Sequence, residues 1–349
     1  MEKVYLPFDA WPEADKAAWK VAIAVGDILD DQGPAAHWEP RTKQTNIQHY
    51  SRWLGYLNST VGLANLPADR VTKVRVHAYI RHLEAKVAPR TMVSSLVGLK
   101  VIVKAMAPAH DWHWLADVCN RLNRNAKPIR DKRSRILHSG TMFRMALDYL
   151  QELSETDLSK RKQLVGFRNG LMVALMTACP LRRKNFSGLT IGTTFKQVGD
   201  SWIIRIPAAD TKNKQPLELY VPQELSMHIQ TYLNRVRKRI ANATENAVWV
   251  SWDGDQMPCH MVYVAFTRIT TTLFGRSINP HLFRDSAATT LATHSLDAVM
   301  AAPGLLGHMN PKTTAKHYIH ASGINASRKM NDILMCHAKG AKWAKAAPY

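Results

Sequence analysis

Cys179-Pro180-Leu181-Arg182-Arg183-Lys184-Asn185 is the stretch from which the rest of the chain is best read. It closes an uncharged run that begins at Gly170, and three consecutive cations follow before Leu189 resumes the apolar pattern. From Gly170 to Leu181 the run is about a dozen residues, too short to cross a bilayer. An apolar helix inside a globular body that ends by delivering cations to a surface is the remaining reading.

Those cations belong to a wider excess. The 349 residues hold 47 Lys and Arg against 27 Asp and Glu, a formal charge of +20, while 46% are apolar and 21% charged. So much apolar material excludes a disordered polycation and provides cores for roughly two domains, so the charge sits on a folded body that suits a polyanionic partner. Cys119, Cys179, Cys259 and Cys336 stand 60, 80 and 77 positions apart, without the close pairs of a zinc site or a disulfide framework. They read as buried thiols of a reducing compartment, and neither metal nor cofactor is expected. Met1 to Ala10 contains Glu2 and Asp9 and lacks the order of a signal peptide. A soluble, cytoplasmic, nucleoid-associated chain with no membrane partner is the expectation.

Charge also divides the chain. Residues 1–40 hold three basic and eight acidic side chains, whereas residues 41–135 hold eighteen basic and five acidic. An acidic segment repels a phosphate backbone, so Trp11 to Asp30 is expected as a helix packed on protein. Ile47, Tyr50, Trp53, Leu54 and Leu57 then recur at helical spacing, as do Val74, Val76, Tyr79, Ile80 and Leu83. A third helix over Thr91 to Met106 turns Val93, Leu96, Val97, Val101 and Ile102 inward and sets Lys100 and Lys104 four apart on another face. Arg121, Arg124, Lys127, Arg130, Lys132, Arg133 and Arg135 then crowd into a stretch that Pro128 interrupts. This reads as an interdomain linker that follows a phosphate backbone. The boundaries expected are an acidic helical segment over 1–40, a helical domain over 41–123, a basic linker over 124–136, a second domain over 137–330 and a tail over 331–349.

In the second domain, helical periodicity over Thr141 to Leu153 and Leu164 to Ala178 gives way to strands at Ser201 to Pro207 and Leu217 to Val221. Helices are expected again over Gln223–Ala241, Met261–Leu273, Leu282–Ala292 and Ala298–Leu306. Met145, Met172, Met176, Trp249 and Trp252 read as packing groups. The tail offers Ile333, Leu334, Met335 and Trp343 as an apolar stripe for a neighbouring protomer, or a frayed end with Lys339, Lys342 and Lys345 in solvent.

Several catalytic engines are missing. No Gly-Lys dipeptide occurs, which excludes a Walker A phosphate loop, and residues 136–349 contain 14 acidic side chains with little clustering, a poor basis for a metal-dependent nuclease. Chemistry on a polyanion would then fall to cations and a side-chain nucleophile. Besides Arg182-Arg183-Lys184, the candidates are Lys212 in the polar turn Ala208 to Gln215, His281 and Arg284 on one helical face, and His308 after Leu306-Gly307, with Tyr318 ten residues on.

In that order these motifs resemble the tyrosine recombinases, or phage integrases, over Thr45 to about Ala326. The resemblance implies a mainly α fold with a small antiparallel sheet, in which an N-terminal helical core-binding domain precedes an α+β catalytic domain. It also implies two domains closing around double-stranded DNA and a homo-tetramer on paired sites. Carried over by motif, Arg182 is the first arginine, seven before Leu189, with Arg183 as its neighbouring alternative. Lys212 is the hairpin lysine, with Lys214 as the alternative. His281 and Arg284 form the H-x-x-R pair, His308 is the late histidine and Tyr318 the nucleophile. Asn185 departs from the acidic residue that many members carry three positions after the first arginine.

Residue chemistry suits these roles. Guanidinium forks match the non-bridging oxygens of a phosphodiester, and a phenol with a reference pKa of about 10 needs a cationic pocket and a proton acceptor to attack phosphorus. The activity implied is cleavage to a 3′-phosphotyrosine and a free 5′-hydroxyl, then strand exchange. A type IB topoisomerase and an inactive DNA-binding protein of the same fold are the rival readings. Lys100, Lys104, Arg183, Lys214 and the seven linker cations are the expected DNA contacts.

Overall fold

The structure is a computed structural model describing residues 5–64, 66–127, 133–240, 246–294, 304–305 and 319–339, with backbone alone at 133, 292–294, 319–325 and 338–339. The chain forms two compact units, Met1–Asp131 and Lys132–Tyr349, each with its own core.

In the first unit, α1 (Glu13–Ala22) buries Asp15, Trp19 and Ala22, one face at four- and three-residue steps. The helix expected from Trp11 to Asp30 therefore ends early. Gly26 takes φ +71, Asp27 Oδ1 accepts the amides of Leu29 and Asp30 at 2.7 and 3.0 Å, and the chain turns back. This acidic segment belongs to the core of the unit: Trp11 Nε1 donates to Ser51 Oγ at 3.0 Å, and Asp15 accepts from Arg70 and Tyr50. Both α2 (Pro40–Thr60) and α4 (Pro89–Met106) start with proline in the first turn, where its missing amide costs nothing. Between them, α3 (Lys73–Glu84) is capped by the Thr72 hydroxyl, which accepts the Arg75 amide at 3.3 Å. Gly98 lets α4 lie against α2, since a Cβ there would stand 2.2 Å from the His49 ring. α5 (His113–Asn125) carries Arg121 and Arg124 as helical residues, so the basic stretch begins on a helix instead of a linker.

In the second unit, α6 (Ser139–Ser154) packs on α7 (Arg161–Ala178), which is buried from Gly170 to Ala178. Gly170 makes that contact possible: a Cβ would lie 2.9 Å from the Tyr149 ring. The short α8 (Arg183–Ser187) follows. The antiparallel sheet has three strands in the order β1 (Phe195–Val198), β2 (Ser201–Ile206), β3 (Leu217–Tyr220). Phe195 pairs with Ile204 and Ile204 with Leu219, placing all three in the core. The helix expected over Gln223–Ala241 is present without interruption to Ile240, starting as a 3-10 turn and running through α9 (Ser226–Thr231), a π turn at Tyr232–Val236 and α10 (Arg237–Ile240). The π turn lies where Tyr232 Oη and Arg237 Nε donate to the carbonyls of Val248 and Ala247, at 2.8 and 2.9 Å. α11 (Cys259–Phe274) stops at Gly275 with φ +65, and α12 (Pro280–His294) follows. The helix expected over Ala298–Leu306 lies outside the described residues apart from 304 and 305.

The last helix among the described residues, α13 (Ile319–Lys339), packs on α6 and β3. Ser327 Oγ accepts the Tyr220 amide at 3.0 Å and donates to the Tyr220 carbonyl at 2.9 Å, while Ile333 and Leu334 are buried. Those two side chains fill their own unit's core, not the face of a neighbour; Trp343, Lys342 and Lys345 lie outside the described residues. Among the thiols, Cys119 and Cys179 are buried, but Cys259 is half-buried and Cys336 exposed, because their helix positions face away from the core. Met172, Met176 and Trp249 are core residues, Met145 packs at its edge, and Trp252 lies half-buried beneath Arg161 at 4.4 Å.

Candidate active site

The first candidate arginine owes its place to the end of α7. Pro180 and Leu181 leave the helix, the Leu181 amide bonding back to the Cys179 carbonyl at 2.7 Å, and Arg182 takes an extended conformation as the residue that starts α8. Buried Leu181 and Phe186 hold the segment on both sides, leaving the Arg182 side chain half-buried. Arg183 points elsewhere, with its guanidinium 5.7 Å from the Tyr263 ring.

The second arginine comes from α12. Asn279 caps this helix, its Oδ1 accepting the amides of His281 and Leu282 at 3.0 and 3.2 Å, with Pro280 at the start. Leu282, Phe283 and Ala287 bury the inner face, and Arg284 goes in with them at 5% exposure. Its Nη1 donates to the Pro180 carbonyl at 2.5 Å. The fold thus ties one arginine to the backbone two residues before the other. Burial, and then repulsion from Arg182, lower the Arg284 pKa to about 10, with Asp285 acting against both. Two guanidinium groups held this close and partly out of water favour an anion beside them.

His281 lies one turn before Arg284 on α12 and is exposed. Lys212 is exposed on the turn between β2 and β3, whose base is closed by Thr211: its Oγ1 donates to the Gln215 carbonyl at 2.7 Å and accepts the Gln215 amide at 3.0 Å. Lys214, also exposed, has φ 54. His308 and Tyr318 lie outside the described residues. Leu305, three residues before His308, is fully buried, and Ile319, next after Tyr318, begins α13.

The expected DNA contacts fall on both units. Lys100 and Lys104 line a cavity of about 430 Å³ with His110 and His113. Arg121, Arg124 and Lys127 are exposed. Arg135 donates to the Ser277 carbonyl and is thereby part of the second unit's own packing. Arg130, Lys132 and the Arg133 side chain lie outside the described residues. Sequence reasoning missed two contributors: Asn279, whose place before Pro280 is a legible cap, and the Pro180 carbonyl, which no residue pattern announces. Among the described residues no group of three or more His, Cys, Asp or Glu could hold a metal ion, and no helix is long and apolar enough to cross a membrane.

The profile of the phage integrase family matches residues 144–323, just over half of the chain. The chain belongs to the phage integrase family. For a member of this family of site-specific tyrosine recombinases, the matched segment begins within α6 and ends within α13, so it contains every catalytic candidate. Two solved structures share the recombinase fold. The XerH site-specific recombinase bound to palindromic difH substrate, a post-cleavage complex, is 13% identical over 85% of this chain and 76% of that one, with a TM-score of 0.55. The XerH pre-cleavage complex with difH substrate is 13% identical over 83% and 76%, with a TM-score of 0.52. No curated protein matches the chain.

Proposed function

We propose that this recombinase cuts and rejoins double-stranded DNA at specific sites through a covalent phosphotyrosine, with Arg182 and Arg284 holding the phosphate that reacts. One observation carries the assignment of the pair: the buried Arg284 guanidinium is bonded to the Pro180 carbonyl, beside the segment that presents Arg182. A buried guanidinium fixed before substrate arrives, with a second presented by the adjacent segment, needs little reorganisation when charge gathers on the non-bridging oxygens.

In this reading the Tyr318 oxygen attacks phosphorus, the P–O5′ bond breaks, and the departing 5′ oxygen takes a proton from Lys212. His281 and His308 accept the phenol proton or hydrogen-bond the phosphate. Attack by a 5′-hydroxyl on the phosphotyrosine reverses the step and reseals DNA, so the exchange consumes no nucleotide. Lys104, Arg121, Arg124 and Lys127 contribute counterion release to binding, along with Lys100, Arg130, Lys132 and Arg133. Four protomers on two sites complete strand exchange.

The test uses duplexes selected by the chain from a random-sequence pool, nicked so that the cut end escapes. A covalent protein–DNA adduct is expected with the parent chain and none with Tyr318→Phe. An adduct that survives Tyr318→Phe overturns the nucleophile, and binding without any adduct from the parent leaves a DNA-binding protein.

A further inference from the structure

We infer that loop 24–33 of one protomer docks, through Ile28 and Leu29, into the groove between α3 and α5 of a second copy of the chain. The loop is built to keep its shape. The Gly33 amide bonds to the Ala24 carbonyl at 2.9 Å and the Ala35 amide to the Ala22 carbonyl at 2.7 Å, closing the base. The Asp27 side chain gathers the amides of Leu29 and Asp30, and at Gly26 a Cβ would stand 2.7 Å from the Asp30 carbonyl oxygen. At the tip of this closed loop Ile28 is 101% exposed and Leu29 92%. Asp27, Asp30 and Asp31 surround them, and no Lys or Arg occurs between Val21 and Glu39. An apolar, acidic tip is repelled by a phosphate backbone and suited to a protein surface.

The complement is on the same unit. α3 and α5 flank a groove of about 600 Å³ lined by Val76, Ile80, Trp114, Val118 and Leu122. Trp114, Val118 and Leu122 recur every four residues along α5, and their own unit leaves each half-covered. Exposed Lys73 and Arg121 stand on the rim, with Asp117 as its acidic member. An apolar tip ringed by three carboxylates thus matches an apolar groove with a basic rim. The base bonds hold the tip out in solvent on its own unit, and the match in charge and apolar surface selects another copy as the occupant. Tip into groove is a head-to-tail contact, which repeats from copy to copy. A contact this small holds when DNA already sets copies side by side, and in that respect the inference rests on the proposed function.

The experiment uses full-length chains with Cys259 and Cys336 changed to serine. One carries Leu29→Cys and the other Val118→Cys; they are mixed on a long random-sequence duplex and treated with a short bis-maleimide. A mixed adduct is expected, favoured by DNA over the DNA-free mixture by roughly a hundredfold at equal protein concentration. Asp30→Lys in the tip protein should weaken it, and Lys73→Glu in the groove protein, which leaves the DNA-contacting cations in place, should restore it. Chains that shift the duplex in a gel yet give no mixed adduct overturn the docking, as does cross-linking of Leu29→Cys to itself. Failure to bind duplex instead strikes the proposed function, and the DNA-free mixture at high concentration then decides the docking alone.

Discussion

Replacing Asp15 with alanine tests whether the acidic first segment is structural or an appended arm. Asp15 and Arg70 are both fully buried; the carboxylate accepts from Arg70 at 3.1 and 2.5 Å and from the Tyr50 phenol at 2.6 Å. Burial and the Asp15 charge hold that phenol well above its ordinary pKa, so it serves as a donor throughout the accessible pH range. Removing one member of a buried ion pair costs about 3–5 kcal/mol, and a hydrogen bond to a charged group contributes about 1.5–3 kcal/mol. The two overlap because the same carboxylate supplies both, so the expected loss is about 4 kcal/mol, a large share of the ~5–15 kcal/mol that holds a domain together. Asp15→Leu combined with Arg70→Met removes both charges and their desolvation cost, and should unfold within about 1 kcal/mol of the parent. Urea unfolding followed by tryptophan fluorescence reads this unit well, since Trp11, Trp19, Trp38, Trp53, Trp112 and Trp114 all lie in it. Amide exchange in α1 should rise in the alanine variant and return in the double variant. A loss below about 1 kcal/mol for Asp15→Ala, with α1 exchange unchanged, would refute the reasoning, because a lost buried pair cannot be that cheap.

Three further outcomes are expected. Arg284→Ala should slow covalent adduct formation by about 10²–10³-fold, the usual loss when a preorganised donor to developing charge is removed; Arg284→Lys should recover only part, because it restores charge without the fork, and a near-parental alanine rate would remove Arg284 from the phosphate. Lys212→Ala should slow cleavage of an ordinary 5′-oxygen far more than of a 5′-thio bond, whose leaving group needs no proton, and equal slowing would take Lys212 out of the acid role. Burial lowers the His228 pKa, and burial with Arg52 lowers that of His49; the unfolded chain therefore binds protons that the folded chain refuses, and stability should fall as pH drops below about 6.5. His228→Leu should flatten that slope in urea midpoints, and an unchanged slope would show that the histidine does not drive it.

What the sequence disclosed followed from how local each cause is. Helices with an inward stripe, such as α2 with Tyr50, Trp53, Leu54 and Leu57, were legible because burial repeats along the helix. β1 was missed because Phe195–Val198 spans four residues with one fully buried side chain, too little to establish alternation. The early end of α1 turned on Gly26 and on Asp27 binding amides within its own loop, while the widening to a π turn at Tyr232–Val236 goes with bonds to Ala247 and Val248, which the periodicity of that segment does not show.

The site divides in the same way. That His281 and Arg284 stand one turn apart on α12 can be counted from the sequence, whereas the exposure of His281 beside a buried Arg284 cannot. That Arg284 would be buried and bonded to the Pro180 carbonyl depends on α12 reaching the end of α7, over a hundred residues earlier in the chain. This contact adds more than position. Burial and repulsion from Arg182 both disfavour the charged form of Arg284, while Leu282, Phe283 and Ala287 supply the apolar packing of that face. A charge held against its own burial by a specific backbone bond is best explained by the anion it meets, so Arg284→Met, which removes the charge and its desolvation cost together with that bond, should stay within about 1 kcal/mol of the parent in unfolding stability while slowing adduct formation as strongly as Arg284→Ala. Loss of both together would mean that the arginine is there for the fold.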